Sequence, residues 1–238
     1  MTSVIVVGGG PVGLMLALFL DYYDVPCTVL DAEPSTSDMP RGNTHNARTM
    51  EHYRRLGVAD EIRALGLPAD HPTDVAYFTR YGGAELARLR MSSANGVRRA
   101  VREAPDDHQT PEPLHRANQM YVERLLLARA RTRSNITLRY GTRVSGIWQD
   151  GSGVSVHADR GTGRARYVVG CDGGQSVVRA GIGARYVGSG ALDQEVLGRQ
   201  ATATHLRIPA LYPDFLGSRR AWSYWALGGW ADDQPDHA

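Results

Sequence analysis

The strongest constraint in this sequence is the stretch Ser3–Gly13, which reads SVIVVGGGPVG. Apolar β-formers lead into Gly8, Gly10 and Gly13, spaced as G-x-G-x-x-G, and an apolar run over Leu14–Leu20 follows at helical length. Strand, tight turn and helix in this order are the context in which that spacing binds a dinucleotide. Gly8 allows the sharp turn, Gly10 lets a pyrophosphate approach the backbone, and Gly13 lets the helix pack close to the sheet.

An acidic residue stands where this motif expects one. A second predicted strand, Cys27–Leu30, ends in Asp31, which lies 18 residues beyond Gly13. An acid at about that distance is the expected partner of a ribose hydroxyl. Glu33 is a rival for this role, although it lies beyond the expected end of the strand. The alternative is a glycine-rich turn in an ordinary βαβ unit, and the position of Asp31 favours the dinucleotide site.

Composition excludes several other classes of function. The net charge of the 238 residues is +2, so nothing indicates a nucleic-acid-binding surface. All 27 basic residues are arginine, which excludes a Schiff-base lysine and a P-loop lysine. We expect no metal, because the eight histidines and two cysteines lack the spacing of a metal site.

The cysteines and the apolar N-terminal run predict a location. Cys27 and Cys171 are isolated in an α/β pattern, which predicts buried thiols in a reducing compartment. The apolar stretch 4–20 is broken by its glycines, and the remainder is too short to cross a bilayer. We therefore expect a cytoplasmic protein that binds neither membrane nor nucleic acid.

The rest of the chain predicts alternating helices, strands and hairpins. Predicted helices cover Asn46–Leu56, Val58–Leu65, Gln119–Arg133 and Ser176–Ala180. Predicted strands cover Ile136–Arg139, Arg166–Cys171, Gln200–Ile208 and Trp222–Leu227, with hairpins over 74–90 and 144–157. The polar segment Met91–Pro113 predicts a mobile surface loop.

Three sets of residues together resemble the class A flavoprotein monooxygenases, the p-hydroxybenzoate hydroxylase-like aromatic hydroxylases. The sets are the glycine motif with Asp31, Pro40–Arg41 followed by Asn46–Glu51, and Cys171–Gly173 with Ser176 and Arg179. Gln119, at the start of its predicted helix, also matches a family glutamine. The three motifs occur in the family's order over roughly residues 3–230, which makes the resemblance specific.

The resemblance implies FAD as the cofactor and a role for each motif. Gly8, Gly10 and Gly13 would hold the FAD pyrophosphate, and Asp31 would bind the adenosine ribose. Arg41 and Gln119 would contact the pyrophosphate and ribityl region, and Asp172 would support the diphosphate. The expected cofactor-binding residues are Gly8, Gly10, Pro11, Val12, Gly13, Asp31, Ala32, Arg41, Gln119, Val144, Asp172 and Gly173.

Plainer interpretations of three of these positions stay open. Asp172–Gly173 after a strand is also simply a turn, and Gln119 is a candidate cap of its own helix. Arg48, in the second motif, is a candidate partner of Glu51 on the same helix at i+3.

The family's activity is aromatic hydroxylation, in which NAD(P)H reduces FAD and one oxygen atom of O2 enters a phenolic or polyketide-like ring. The sequence identifies no catalytic side chain. Tyr77, Tyr81, Tyr224 and Trp225 are candidates to line the aromatic substrate, although large rings on strands are more often core. Two alternatives stay open: a non-catalytic FAD-binding module, and another NAD(P)- or FAD-dependent oxidoreductase such as an NAD-dependent dehydrogenase.

The predicted fold class is α/β, with a Rossmann-like FAD-binding domain over residues 1–185 and part of a β-sheet substrate domain over 186–238. A hairpin and loop over 70–115 would extend from the first domain toward the second. The sequence lacks the Gly-Asp motif that the family carries in a later segment, so we expect an incomplete substrate sheet. Bare sheet edges favour self-association or a complementing chain. On that expectation, the chain alone binds FAD weakly or not at all and does not turn over.

Overall fold

Short strands and helices alternate through the chain. The computed structural model describes residues 3–39, 41–80, 83–104, 110–188, 195–196, 199–200, 204, 206 and 220–226. The helices are α1 (Pro11–Tyr22), α2 (Ala47–Arg55), α3 (Ala59–Ala64), α4 (Ala94–Glu103), α5 (Gln119–Arg131) and α6 (Val177–Gly181). The strands are β1 (Val4–Val7), β2 (Cys27–Leu30), β3 (Thr44–His45), β4 (Val75–Phe78), β5 (Glu85–Leu89), β6 (His115–Arg116), β7 (Ile136–Arg139), β8 (Val144–Asp150), β9 (Gly153–Ala158), β10 (Gly161–Ala165), β11 (Tyr167–Gly170), β12 (Glu195–Val196), β13 (Arg199–Gln200) and β14 (Ser223–Ala226). Among the described helices, none has both the length and the apolar character that crossing a membrane requires.

These elements form two compact units, each assembled from two segments of the chain. The first unit comprises Met1–Asn43 and Ala117–His205, and the second comprises Thr44–Arg116 and Leu206–Ala238. The sequence predicts one domain boundary after residue 185, whereas the segments of these units interleave. The division into a cofactor domain and a substrate domain stays a prediction.

A parallel sheet forms the centre of the first unit, with the strand order β11-β1-β2-β7. Val4 pairs with Cys27 on one side and with Tyr167 on the other. All four residues of β1 are buried, as expected for a strand covered on both faces. Helices α1 and α5 contact each other and the sheet, and Leu14 and Leu126 are completely buried. The α/β Rossmann-like prediction is confirmed.

An antiparallel meander, β8-β9-β10, accompanies this sheet in the first unit. Ile5 and Leu30 of the sheet join Val156 and Ala165 of the meander in one buried cluster. The predicted hairpin over 144–157 is confirmed as β8 and β9. The third strand, β10, was outside the sequence prediction because its residues, GTGRA, lack apolar alternation.

The second unit contains a mixed sheet in the order β14-β4-β5. The predicted hairpin is confirmed by the antiparallel pairing of β4 with β5, and β14 adds to β4 in parallel. Strand β14 confirms the described part of the strand predicted over 222–227. Most of the strand predicted over 200–208 lies outside the described residues.

Helix α4 corrects the loop predicted over Met91–Pro113. Ser93 caps it, because its Oγ accepts the N–H of Gly96 at 3.2 Å. None of the helix's described residues is buried. The loop prediction rests on the polar composition of the segment, although Ala94, Val97 and Val101 follow helical spacing. Residues 105–109 of the same segment lie outside the described part of the chain.

Candidate functional site: the turn after the first strand

The turn between β1 and α1 has the geometry that its glycines predict. Gly8 has a φ of +104°, and a Cβ there would collide with the carbonyl group of Cys171. A Cβ on Gly13 would collide with the carbonyl oxygen of Gly8, so α1 lies directly against the turn. A Cβ built on Gly10, in contrast, has no heavy atom of the described chain within 4 Å. Two of the glycines therefore serve packing, and Gly10 borders open space.

The N-terminus of α1 is open to a ligand. Pro11 is the first helical residue, as predicted, and Gly10 is the N-cap in an extended conformation. No side chain in the described residues caps the helix, and Val12 in its first turn is 66% exposed. Free N–H groups and the helix dipole at such an end favour an anion.

Asp31 lies beside this turn and already accepts backbone hydrogen bonds. Its Oδ2 accepts the N–H of Gly9 at 2.5 Å, and its Oδ1 accepts the N–H of Glu33 at 2.8 Å. A carboxylate offers about four acceptor positions, so each oxygen keeps capacity for a sugar hydroxyl. Glu33, the rival acid, has an exposed side chain and contributes its backbone to Asp31.

A cavity of about 370 Å³, which we call the fingerprint cavity, opens beside the start of α1. It brings together five of the predicted cofactor-binding residues: Gly10, Pro11, Asp31, Arg41 and Gln119. Its lining also holds the carboxyl groups of Glu33, Asp38 and Glu123. Carboxylates suit sugar hydroxyls, whereas phosphate suits the helix N-terminus and the Arg41 guanidinium. This combination of acceptors and donors therefore fits a ligand that carries both sugar hydroxyls and phosphate.

A second cavity, of about 250 Å³, lies where the parallel strands end, and we call it the strand-end cavity. Its lining includes five predicted residues: Gly8, Asp31, Ala32, Val144 and Asp172. Asp31 lines both cavities. Val12, Gly13 and Gly173 are not part of the lining of either cavity.

The carboxylate of Asp172 is engaged by its own turn. Its Oδ1 accepts the hydroxyl of Ser176 at 2.5 Å, and its Oδ2 accepts the N–H groups of Val177 at 2.7 Å and Val178 at 3.2 Å. Gly173 follows with a φ of +76°. The turn interpretation of Asp172–Gly173 is thus confirmed, and a contact with the cofactor stays a prediction.

Gln119 does not cap its helix, so that alternative is wrong. The N-cap of α5 is Asn118, whose Oδ1 accepts the N–H of Met120 at 3.2 Å. Gln119 instead donates its Nε2–H to Oε1 of Glu123 at 2.6 Å. In the second unit, the predicted pair of Arg48 and Glu51 is confirmed at 2.7 Å.

Tyr140 is a member of the site that sequence reasoning missed. Its hydroxyl donates to the carbonyl oxygen of Gly9 at 2.7 Å, and its ring lines the fingerprint cavity. Burial, with the nearby charges of Asp31 and Glu123, raises the pKa of Tyr140 far above its usual value. The phenol therefore stays protonated and keeps donating. One signal was available: Tyr140 follows β7, and parallel strands end at a common edge.

The aromatic residues predicted to line the substrate differ in environment, and those that the structure describes belong to the second unit. Tyr224 packs on the buried Phe78 with ring centroids 6.0 Å apart, so it belongs to the core. Tyr77 and Trp225 face each other at 6.3 Å, and Trp225 is 49% exposed. Tyr81 lies outside the described residues.

Comparison with known proteins agrees with this geometry. The family model described as "FAD binding domain" matches residues 1–212. The chain belongs to this FAD-binding family. FAD is thus the cofactor that both the turn and the family indicate.

The relatives of this FAD-binding chain include monooxygenases of aromatic compounds. The FAD-dependent monooxygenase apdD of Emericella nidulans is 32% identical over 187 residues, which are 76% of this chain and 30% of the relative. Aklavinone 12-hydroxylase DnrF of Streptomyces peucetius subsp. caesius is 35% identical over 80% of this chain and 39% of the relative. The predicted resemblance to FAD-dependent monooxygenases is confirmed.

Solved structures show the same likeness. The flavin-dependent monooxygenase PieE, in complex with FAD and substrate, is 31% identical with a TM-score of 0.67, over 76% of this chain and 32% of PieE. The rebeccamycin biosynthetic enzyme RebC with reduced flavin is 35% identical with a TM-score of 0.65, over 76% of this chain and 34% of RebC. The chain spans about a third of the length of the relatives that it matches.

Proposed function

We propose that this chain binds FAD at the fingerprint cavity and the strand-end cavity and serves an FAD-dependent monooxygenase that hydroxylates an aromatic substrate with NAD(P)H and O2. The observation that carries the proposal is the open start of α1 at Gly10, with Asp31 and Arg41 in the same cavity. The relatives supply the reaction class, since they include an aklavinone hydroxylase and a phenol 2-monooxygenase.

The start of α1, Arg41 and Asp31 each have a task in this proposal. The first-turn N–H groups of α1 and the Arg41 guanidinium would hold the diphosphate, and the free acceptor capacity of Asp31 would bind a ribose hydroxyl. FAD, when bound, supplies electron transfer and oxygen activation, which no side chain of the chain can provide. The protein's part is to orient the cofactor and to keep water from the reacting groups.

Two further parts of the proposal concern substrate and location. The exposed ring pair of Tyr77 and Trp225 is our candidate for the aromatic substrate, because offset aromatic contacts would suit a planar ring. Both cysteines, which lie in the described chain, are free thiols, and this supports a reducing compartment such as the cytoplasm.

Titration of the purified chain with FAD tests the cofactor assignment. Because residues of this chain line both cavities, we expect flavin fluorescence to be quenched with one FAD bound per chain, in contrast to the weak binding expected from the sequence. Arg41→Gln should weaken binding roughly tenfold, the value of one charge-assisted hydrogen bond. Arg55→Gln, at an exposed position on α2 that lies outside the lining of both cavities, is the matched control. Binding of NAD⁺ in place of FAD would favour the dehydrogenase alternative.

A second assay separates a hydroxylase from a non-catalytic FAD module. The FAD-loaded chain is mixed with NADPH, NADH and simple phenols under ¹⁸O2, and products are examined by mass spectrometry. Substrate-dependent incorporation of one ¹⁸O atom supports the hydroxylase. FAD binding without a labelled product supports the module that requires a partner segment.

A further inference from the structure

Glu123 is a buried acid in a cavity proposed to hold an anionic cofactor. It lies in the first half of α5 and is only 4% exposed. A buried carboxylate is costly unless its oxygens are hydrogen-bonded, and here both oxygens accept. Oε1 accepts Nε2–H of Gln119 at 2.6 Å, and Oε2 accepts the N–H of Ser37 at 3.3 Å.

This arrangement fixes which way the Gln119 amide points. An ionised carboxylate only accepts hydrogen bonds, so the nitrogen of the amide must face Glu123. The oxygen then faces the opposite side, where a Cβ built on Gly42 would lie 3.1 Å from Gln119 Oε1. The backbone N–H of Gln119 donates to the Gly42 carbonyl at 2.7 Å, which ties Gln119 to the segment that carries Arg41.

The second contact of Glu123 is with a different segment of the cavity lining. Ser37 belongs to the segment 34–38, which also lines the fingerprint cavity. One carboxylate thus holds a rim segment and a cavity-lining amide together. A glutamine in its place offers a single acceptor oxygen for two donors, so one donor would lose its partner or the Gln119 amide would turn.

We propose that Glu123 is a positioning residue for FAD: it orients the Gln119 amide and holds the Ser37 segment at the rim of the fingerprint cavity. The inference rests on the proposed function, because it assigns Gln119 to the cofactor. This role predicts the opposite of what the charge of Glu123 alone would do to FAD affinity. A negative charge beside a diphosphate should weaken binding, so its removal alone should tighten it.

FAD titration of Glu123→Gln separates these two effects by sign. We expect 5- to 10-fold weaker binding, on the order of one lost hydrogen bond. Equal or tighter binding would overturn the proposal, because the negative charge of Glu123, and not its hydrogen bonds, would then be its main effect on FAD affinity. Glu103→Gln makes the same chemical change at an exposed position on α4, and it should leave FAD affinity unchanged.

A double-mutant cycle separates positioning from general support of the fold. If Glu123 acts largely through Gln119, Gln119→Ala with Glu123→Gln should bind FAD little worse than Gln119→Ala alone. Independent, multiplying losses would overturn the positioning role. Binding of FAD by the wild-type chain without hydroxylation would defeat the proposed reaction and leave this inference standing.

A final measurement requires no cofactor. The ¹⁵N–¹H spectrum of the cofactor-free chain contains the side-chain amide signals of Gln119, assigned by their loss in Gln119→Ala. A hydrogen bond to a carboxylate should place one proton of this pair well downfield, and Glu123→Gln should return it toward the position of a solvated amide. An unshifted pair would overturn the inference, whether or not the wild-type chain binds FAD.

Discussion

Two helices of this chain begin after neighbouring parallel strands: α1 follows β1, and α6 follows β11. Both helix starts combine glycines with an aspartate, yet they differ in whether side chains accept the first N–H groups of the helix. At α6, Asp172 and Ser176 accept the first N–H groups of the helix. At α1, no side chain of the described residues takes that place, and Asp31 bonds to the turn before the helix.

The difference shows that glycines beside an acid do not by themselves make a phosphate site. The acid's position relative to the helix decides the outcome. Asp172 lies five residues before Val177 and closes its own helix start, so those donors are already used. Asp31 comes from another strand and braces Gly9 from the side, which leaves the first turn of α1 free. Helix α1 has 12 residues and α6 has five, so the dipole argument also favours α1.

The largest expected effect separates the packing glycine from the ligand-facing one. Gly13→Ala should lower the free energy of unfolding by about 3 kcal/mol, because its Cβ meets a backbone carbonyl that cannot move aside. Urea denaturation measures this change. Gly10→Ala is the control and should unfold like the wild type, since its Cβ enters open space. Equal stability of the two variants would contradict this division of roles.

The next effect concerns the closed helix start. Asp172→Ala should cost about 2 kcal/mol of unfolding free energy, because one hydroxyl and two N–H donors lose their acceptor. Asp172→Asn keeps one acceptor oxygen and should cost less. Thermal unfolding of the cofactor-free chain measures both variants. A variant of unchanged stability whose FAD affinity falls would show that Asp172 serves the cofactor and not the turn.

The open helix start could be predicted from sequence because its determinants are local. The glycine spacing, Pro11 and the strand ending at Asp31 all lie within the first βαβ unit, and the structure places β2 at Cys27–Leu30 as predicted. Parallel strands with continuous apolar runs and short turns leave few other arrangements. A dinucleotide cofactor followed from the same residues, whereas FAD in particular followed from the family resemblance of all three motifs.

The supports of the site could not be predicted, because their partners are distant in sequence. Tyr140 and Gly9 are separated by 131 positions, and Glu123 and Ser37 by 86. A charged residue on a helix favours a solvated face, and nothing near Glu123 indicates that it is buried. Helix α4 was missed for a different reason: the charged residues of its segment favoured a loop, and its short apolar stripe of Ala94, Val97 and Val101 was overlooked.

A smaller effect tests whether the cofactor occupies the open space beside Gly10. Gly10→Ala should raise the dissociation constant for FAD roughly tenfold, because a methyl group would keep the diphosphate from the backbone. Flavin fluorescence quenching measures the affinity. The reference variant is Gly174→Ala in the other turn, where a Cβ also meets no described atom within 4 Å. A similar loss of affinity in both variants would mean that the two turns contribute alike.

The smallest effect concerns the cap that α6 has and α1 lacks. Ser176 is 8% exposed, and its Oγ accepts the N–H of Arg179 at 2.9 Å. Ser176→Ala should therefore cost about 1 kcal/mol of unfolding free energy, the usual value of an N-cap, with FAD affinity unchanged. Ser93→Ala removes the corresponding cap of α4 and should cost less, because that helix buries none of its described residues and is weakly coupled to the core. Urea denaturation of both variants measures the change in unfolding free energy, and FAD titration measures the affinity. Loss of FAD affinity in Ser176→Ala, with stability intact, would place the second helix start in the binding site and remove the distinction between the two.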